Sequence, residues 1–152
     1  MKTSEQGREF IKSFEKLRLS AYDDGVGVQT LGYGHTAGVK RGDTCTEEQA
    51  DAWFDEEIAK FEDAVTDMVK VDLSQQQFDG LISFAYNVGS GALRSSTLLK
   101  MLTLGGYADA AKRFLDWDKG MVGGRLQPLA GLTKRRAAER KIFEDGIYEM
   151  HQ

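Results

Sequence analysis

The sequence predicts an α+β fold, predominantly helical, in which a small β-hairpin lobe and a larger helical lobe are joined by one long helix. Three observations carry this expectation. Residues 22–42 are glycine-rich and β-prone. Thr46 with Gln49 has the spacing of a capping box, and Trp53, Phe54, Ile58, Phe61 and Val65 then form one apolar stripe. Beyond that stripe the apolar spacing stays helical to the end of the chain.

Taken in order, Thr3 with Gln6 resembles a first capping box. Phe10, Ile11, Phe14 and Leu17 follow at helical spacing, so this helix should end near Glu15 or Lys16. Asp23-Asp24-Gly25 is a turn signal, and Val26, Val28 and Thr30 alternate with Gly27 and Gln29. That reads as a small antiparallel hairpin or three-strand sheet. The long helix is expected over residues 47–69. Ser74 with Gln77 opens another helix, carrying Phe78, Leu81, Ile82, Ala85 and Val88, and Gly89 stops it. A short helix over residues 97–103 stops at Gly105-Gly106, and another covers residues 107–117. Gly123-Gly124 and Pro128, the only proline, mark a loop. A last helix runs over residues 133–145 to Gly146. There are no repeats and no low-complexity linker. One domain, residues 1–152, is expected, with a sheet-bearing lobe at about 15–60 and a helical lobe built from 1–14 plus 70–152.

A chain of 152 residues buries a sizeable core, and 41% apolar with 29% charged residues is the composition of a globular domain. The single cysteine, Cys45, excludes an internal disulfide and a four-Cys zinc site. With His35 and His151 it leaves a cysteine nucleophile formally open beside the plainer reading of an ordinary thiol near a helix start. No segment has the length and apolarity of an export signal or a membrane span, so no membrane insertion is expected. Charge is uneven. Positions 43–79 hold twelve acidic and two basic residues, and positions 112–141 hold nine basic and three acidic. The basic segment fits a solvated helix face or a counter-charge to the acidic one. Without a nucleic-acid-binding signature, no nucleic-acid partner is expected.

Glu15 and Asp24 are the pair that could carry chemistry. One stands at a helix end and the other in the hairpin turn that follows. Glycosidic cleavage needs one carboxylic acid to protonate the leaving oxygen and one carboxylate on the opposite face of the sugar. Thr30, six residues beyond Asp24, returns toward the same end of the hairpin, where its hydroxyl could hold a water. Spacing alone leaves the alternative open, with Glu15 a solvated helix-end residue and Asp24 a turn residue among 24 acidic side chains.

Residues 14–36 read FEKLRLSAYDDGVGVQTLGYGHT. This stretch resembles the signature of the phage lysozyme family (glycoside hydrolase family 24, the T4-type and lambdoid endolysins). That family carries Glu, eight residues, Asp, five residues, Thr, then Gly-x-Gly-His. Glu15, Asp24 and Thr30 fit without a gap, and Gly32-Tyr33-Gly34-His35 follows. FAYNVGSGALRSSTLLKML at 84–102 and GLTKRRAAERKIF at 131–143 extend the match over nearly the whole chain. The resemblance implies a lysozyme-like fold and hydrolysis of the β-1,4 bond between N-acetylmuramic acid and N-acetylglucosamine in peptidoglycan.

It further implies Glu15 as general acid, with Asp24 and Thr30 positioning and activating water. The family is regarded as inverting, which requires carboxyl groups roughly 6.5–9.5 Å apart. A general acid working near neutrality also needs a raised pKa, so Glu15 should be partly desolvated. Arg135 matches a basic position near the acid. His35 is expected to be structural rather than a base, paired with Glu57 on the long helix. Tyr86, Asn87 and Arg113 map to the sugar-binding side of the helical lobe, although Tyr86 also suits a core position. Trp53 and Trp117 read as core. Gln29 stands where an aromatic or large apolar residue is common in the family, which bears on the packing of the Thr30 strand rather than on the chemistry. Neither metal nor cofactor is expected. The resemblance implies a monomer acting on glycan strands, made in the host cytoplasm and released to the wall by a separate holin-like protein. Two rival functions are a lytic transglycosylase, which needs only one acid, and a non-catalytic peptidoglycan-binding module, which needs neither carboxylate.

Overall fold

The computed structural model describes residues 1–25 and 27–152. Val26, assigned above to the alternating hairpin pattern, lies outside the described residues. Helix α1 spans Glu5–Glu15. Its cap is Ser4, whose hydroxyl accepts from the Gly7 amide at 3.0 Å. Thr3, expected as the cap, is drawn inward instead. Its amide and hydroxyl both donate to Glu62 Oε2, at 2.5 and 2.8 Å.

Strands β1 (Arg18–Asp23) and β2 (Gln29–Gly32) pair antiparallel, with Tyr22 opposite Thr30 and Asp23 opposite Gln29. The register shifts between Arg18 and Tyr22, so the strand bends there. The isolated bridges Ser20↔Thr44 and Leu31↔His35 extend this small sheet toward the long helix. Helix α2 (Glu47–Met68) carries the expected capping box of Thr46 and Gln49, and α3 (Gln75–Val88) that of Ser74 and Gln77.

The remaining elements are α4 (Ser90–Ser95), α5 (Thr97–Thr103), α6 (Tyr107–Arg113), a 3-10 turn (Phe114–Trp117), strands β3 (Lys119–Val122) and β4 (Arg125–Pro128), and α7 (Ala130–Asp145). Three differ from expectation: the helix expected over residues 107–117 is α-helical only to Arg113 and closes as the 3-10 turn. Helix α4 occupies a stretch too short to show periodicity. The region read as a loop is a hairpin whose two-residue turn is Gly123-Gly124, with φ of +58° and +77°, a backbone that suits the twist of paired strands and favours glycine. Its strands are exposed on both sides, so no alternation of apolar and polar residues announces them.

One apolar cluster runs through the molecule: Phe10 and Ile11 of α1, Phe54 and Ile58 of α2, Leu81, Ile82 and Phe84 of α3, Leu98 and Leu102 of α5, Phe114, and Ile142 and Phe143 of α7. Each such side chain contributes about 1.5–3 kcal/mol by leaving water. Helices α3 and α7 approach closely at Gly80, where a Cβ would stand 3.3 Å from both the Glu139 carbonyl and the Phe143 Cβ. This contact brings the middle of α7 beside Ser83 and behind the end of α1.

Candidate active site

Glu15 is the last residue of α1, and the chain leaves the helix sharply. Lys16 has φ +54° and ψ 136°, a left-handed backbone that is strained for a residue with a Cβ. The Glu15 side chain is only 18% exposed. Arg135 Nη1 lies 3.3 Å from its Oε1. Burial raises the Glu15 carboxyl above its ordinary value, and the Arg135 cation pulls it down without overcoming that effect.

Arg135 is itself buried. Its Nε donates to Glu139 Oε2 at 3.2 Å and its Nη2 to the Ser83 carbonyl at 3.3 Å, while its guanidinium rests over the Phe14 ring at 5.2 Å. Glu139 also binds Arg136, Oε1 to Nε at 2.8 Å, and accepts the Ser83 hydroxyl at 2.5 Å. Arg136 Nη2 in turn donates to Asn87 Oδ1 at 2.7 Å.

The hairpin side is organised around the backbone of Val28. Asp24 Oδ1 accepts the Val28 amide at 3.2 Å, and the Asp24 amide donates to the Val28 carbonyl at 3.0 Å. Thr30 Oγ1 donates to the same carbonyl at 3.4 Å. Asp23 shapes the turn by accepting the amides of Gly25 and Gly27, at 2.8 and 3.1 Å. Asp24 is exposed, whereas Thr30 is 4% exposed. Asp24 and Thr30 thus both bind the backbone of Val28, Asp24 exposed and Thr30 against the protein body.

The other expected residues fall in different surroundings. The Tyr86 hydroxyl donates to the Tyr33 carbonyl at 2.9 Å, and its ring packs on Phe54 and Phe61. Burial and the Glu15 charge push its phenol up. Arg113 ends α6 with Nη1 3.3 Å from Asp116. His35 does not pair with Glu57: among the described residues no hydrogen bond or ion pair joins them. The imidazole lies flat on Trp53, centroids 4.2 Å apart and planes at 9°, and that stacking directs it along the indole. Glu57 lies 3.8 Å from Lys60 instead. Trp53 and Trp117 are half-buried, Trp117 edge-on to Phe84. Burial pushes the Cys45 thiol up, opposite to what a nucleophile requires. No cluster of three or more metal-ligating side chains occurs among the described residues.

Residues 12–139 match the family described as phage lysozyme, and that span includes Glu15, the hairpin and Arg135. The chain belongs to the phage lysozyme family. It is similar to the endolysin of Acyrthosiphon pisum secondary endosymbiont phage 1, 45% identical over 144 residues that cover 95% of this chain and 99% of the relative. It is also 45% identical over 150 residues to the endolysin of Bacillus phage B103, covering 96% of this chain but 55% of that relative, so it spans about half of the longer protein. Among solved structures, the endolysin from Escherichia coli O157:H7 phage FAHEc1 superposes with a TM-score of 0.92 at 37% identity, covering 98% of this chain and 97% of that one. As a phage lysozyme the chain is a glycoside hydrolase, a muramidase of the endolysin type acting on peptidoglycan.

Within this phage lysozyme the cluster behind Glu15 extends beyond Arg135. Glu139, Arg136 and Ser83 were not singled out. The signal for Glu139 was present, since Arg135 and Glu139 stand four apart on one helix. Ser83 comes from another helix and left no local trace.

Proposed function

We propose that Glu15 is the general acid of this muramidase and that Asp24 and Thr30 hold and activate the attacking water. The substrate is the β-1,4 bond between N-acetylmuramic acid and N-acetylglucosamine, cleaved with inversion. The observation that carries this reading is the state of Glu15. It is a carboxyl at a helix end, mostly removed from water and raised in pKa although a guanidinium stands 3.3 Å away. A group held in that way keeps a proton to give to a leaving oxygen. Asp24, exposed in a turn of backbone hydrogen bonds, offers its carboxyl group on the hairpin side, where the attacking water would be held. Inversion needs room for a water, hence a carboxyl separation of roughly 6.5–9.5 Å in the substrate complex.

In this reading residues 1–152 form one catalytic domain, and the glycan strand lies between the hairpin and the helical lobe. Asn87 and Arg113 offer exposed polar groups to it, and Tyr86 supports the wall by its bond to Tyr33. The enzyme works as a monomer, is made in the host cytoplasm and reaches the wall after a separate membrane-permeabilising protein acts. No described helix is long and apolar enough to cross a membrane.

The test is turbidity clearing of permeabilised Gram-negative cells by the parent and by Glu15→Gln, with mass analysis of the released glycans. The parent should clear and yield reducing ends, and the variant should fall by about 10²–10⁴-fold, the usual weight of a general acid. Anhydro products would mean a transglycosylase. Undiminished clearing by the variant would remove Glu15 from the mechanism.

A further inference from the structure

Glu139 has no part in the reaction as drawn above, yet it is the most enclosed carboxylate near it, with a fully buried side chain. A buried carboxylate needs compensation, and Glu139 receives it from Arg135 and Arg136 of α7 and from Ser83 of α3. Arg135 is therefore shared between two carboxylates. Its Nε is committed to Glu139 and its Nη2 to the Ser83 carbonyl, which leaves Nη1 to face Glu15.

Two cations stand behind Glu15, and a carboxyl facing them without a counter-charge would ionise readily. We infer that Glu139 is a positioning residue for the reaction: by holding Arg135 and offsetting its charge, it lets Glu15 keep the proton that it donates. The inference rests on the reading of Glu15 as the acid. The groups around Glu15 fit it. Arg135, Arg136 and Glu139 act on it from α7, and the Tyr86 phenol lies within reach of its charge from α3. On its own helix Lys12 is turned away to Asp51, at 3.0 Å. His151 of the C-terminal tail is stacked on Phe14 beside the cluster. Of these, Glu139 is the anion whose charge opposes the two arginines at Glu15.

The experiment follows Glu15 directly, by carbon-13 NMR titration of its carboxyl in the full chain, alongside the pH profile of peptidoglycan hydrolysis. In Glu139→Gln the Glu15 midpoint should fall by about one unit or more, the scale of an unopposed neighbouring cation. The alkaline limb of the profile should move down with it, so that activity at a fixed alkaline pH drops about tenfold while the acid-side rate is kept. Glu139→Asp, which keeps the charge, should stay nearer the parent. If Glu139→Gln leaves Arg136 too poorly compensated to fold, the pair Arg136→Met with Glu139→Gln removes both buried charges and should still lower the midpoint. An unchanged Glu15 midpoint in a folded variant, or a rate lost equally at every pH, overturns the inference. Because the titration does not depend on turnover, a lowered midpoint with an unaffected rate would uphold the link from Glu139 to Glu15 and fault only the role of Glu15 as acid.

Discussion

Arg135 Nη1 lies 3.3 Å from Glu15 Oε1, although the two residues are 120 positions apart. The contact joins the end of the first helix to the start of the last one, and it exists because α3 and α7 pack closely enough at Gly80 to carry Arg135 behind α1. It fixes the direction of the Glu15 side chain while opposing the burial that raises its pKa.

Replacing Arg135 by Ala separates these effects. Glu15 loses its cation, so its pKa should rise further and the alkaline limb of the pH–rate profile should move up. Glu139 loses one of its two arginines while staying buried, so stability should fall by about 3–5 kcal/mol, the usual result of breaking a buried pair from one side. Urea denaturation and a pH profile on purified peptidoglycan check the two halves separately.

Glu15 itself should weaken the fold at neutral pH. Its folded pKa is raised above the ordinary 4.5, so between that value and the folded midpoint the folded state binds more protons than the unfolded one. Stability then falls as pH rises through this window. Glu15→Gln should therefore be the more stable protein above the window and equal to the parent below pH 4.5, a gain in stability accompanied by lost activity. Thermal denaturation of both proteins at pH 4 and pH 7 measures it.

At the N-terminus, Glu62 of α2 is 4% exposed and accepts both the amide and the hydroxyl of Thr3. Glu62→Ala leaves those two donors without their acceptor. Hydrogen bonds to a charged group are worth about 1.5–3 kcal/mol each, so losing both should cost about 3–6 kcal/mol in chemical denaturation, with kcat at 25 °C preserved.

The C-terminal tail should give a pH-dependent contribution of its own. His151 stacks on Phe14, centroids 4.8 Å apart, and its amide donates to the Ser13 hydroxyl at 3.0 Å. Burial, aided by Lys134, Lys16 and Arg135, lowers its imidazole pKa below the ordinary 6.5. The unfolded chain thus takes up a proton before the folded one does. The contribution is complete above pH 6.5 and is lost as pH falls from there through the folded value. His151→Phe should remove this part of the pH dependence, seen by comparing denaturation midpoints at pH 7.5 and 5.5.

Much of this architecture was legible because its signals are local. The capping boxes at Thr46 and Ser74 and the stripes that follow them are written within one turn or one helix, and the structure keeps both. The candidates Glu15, Asp24 and Thr30 fall within 16 consecutive residues, and it is the resemblance of that stretch to the family signature, rather than their spacing alone, that singles them out. Where tertiary contact outweighs local preference, the reading slipped. Thr3 gives up its capping role to Ser4 because Glu62, far along the chain, offers it two bonds in the interior. His35 lies on Trp53 rather than against Glu57, a ring contact between hairpin and helix that no local pattern announces. The β3–β4 hairpin, exposed on both faces, has no pattern to betray it beyond its glycine pair.

The central claim is that Glu15 meets its substrate as a carboxylic acid rather than a carboxylate. Carbon-13 NMR titration of the Glu15 carboxyl in the unmodified chain tests it most directly. The account predicts a midpoint above 4.5 that coincides with the alkaline limb of hydrolysis. A midpoint at or below 4.5 would mean that Arg135 outweighs burial, and Glu15 could not then be the proton donor near neutral pH.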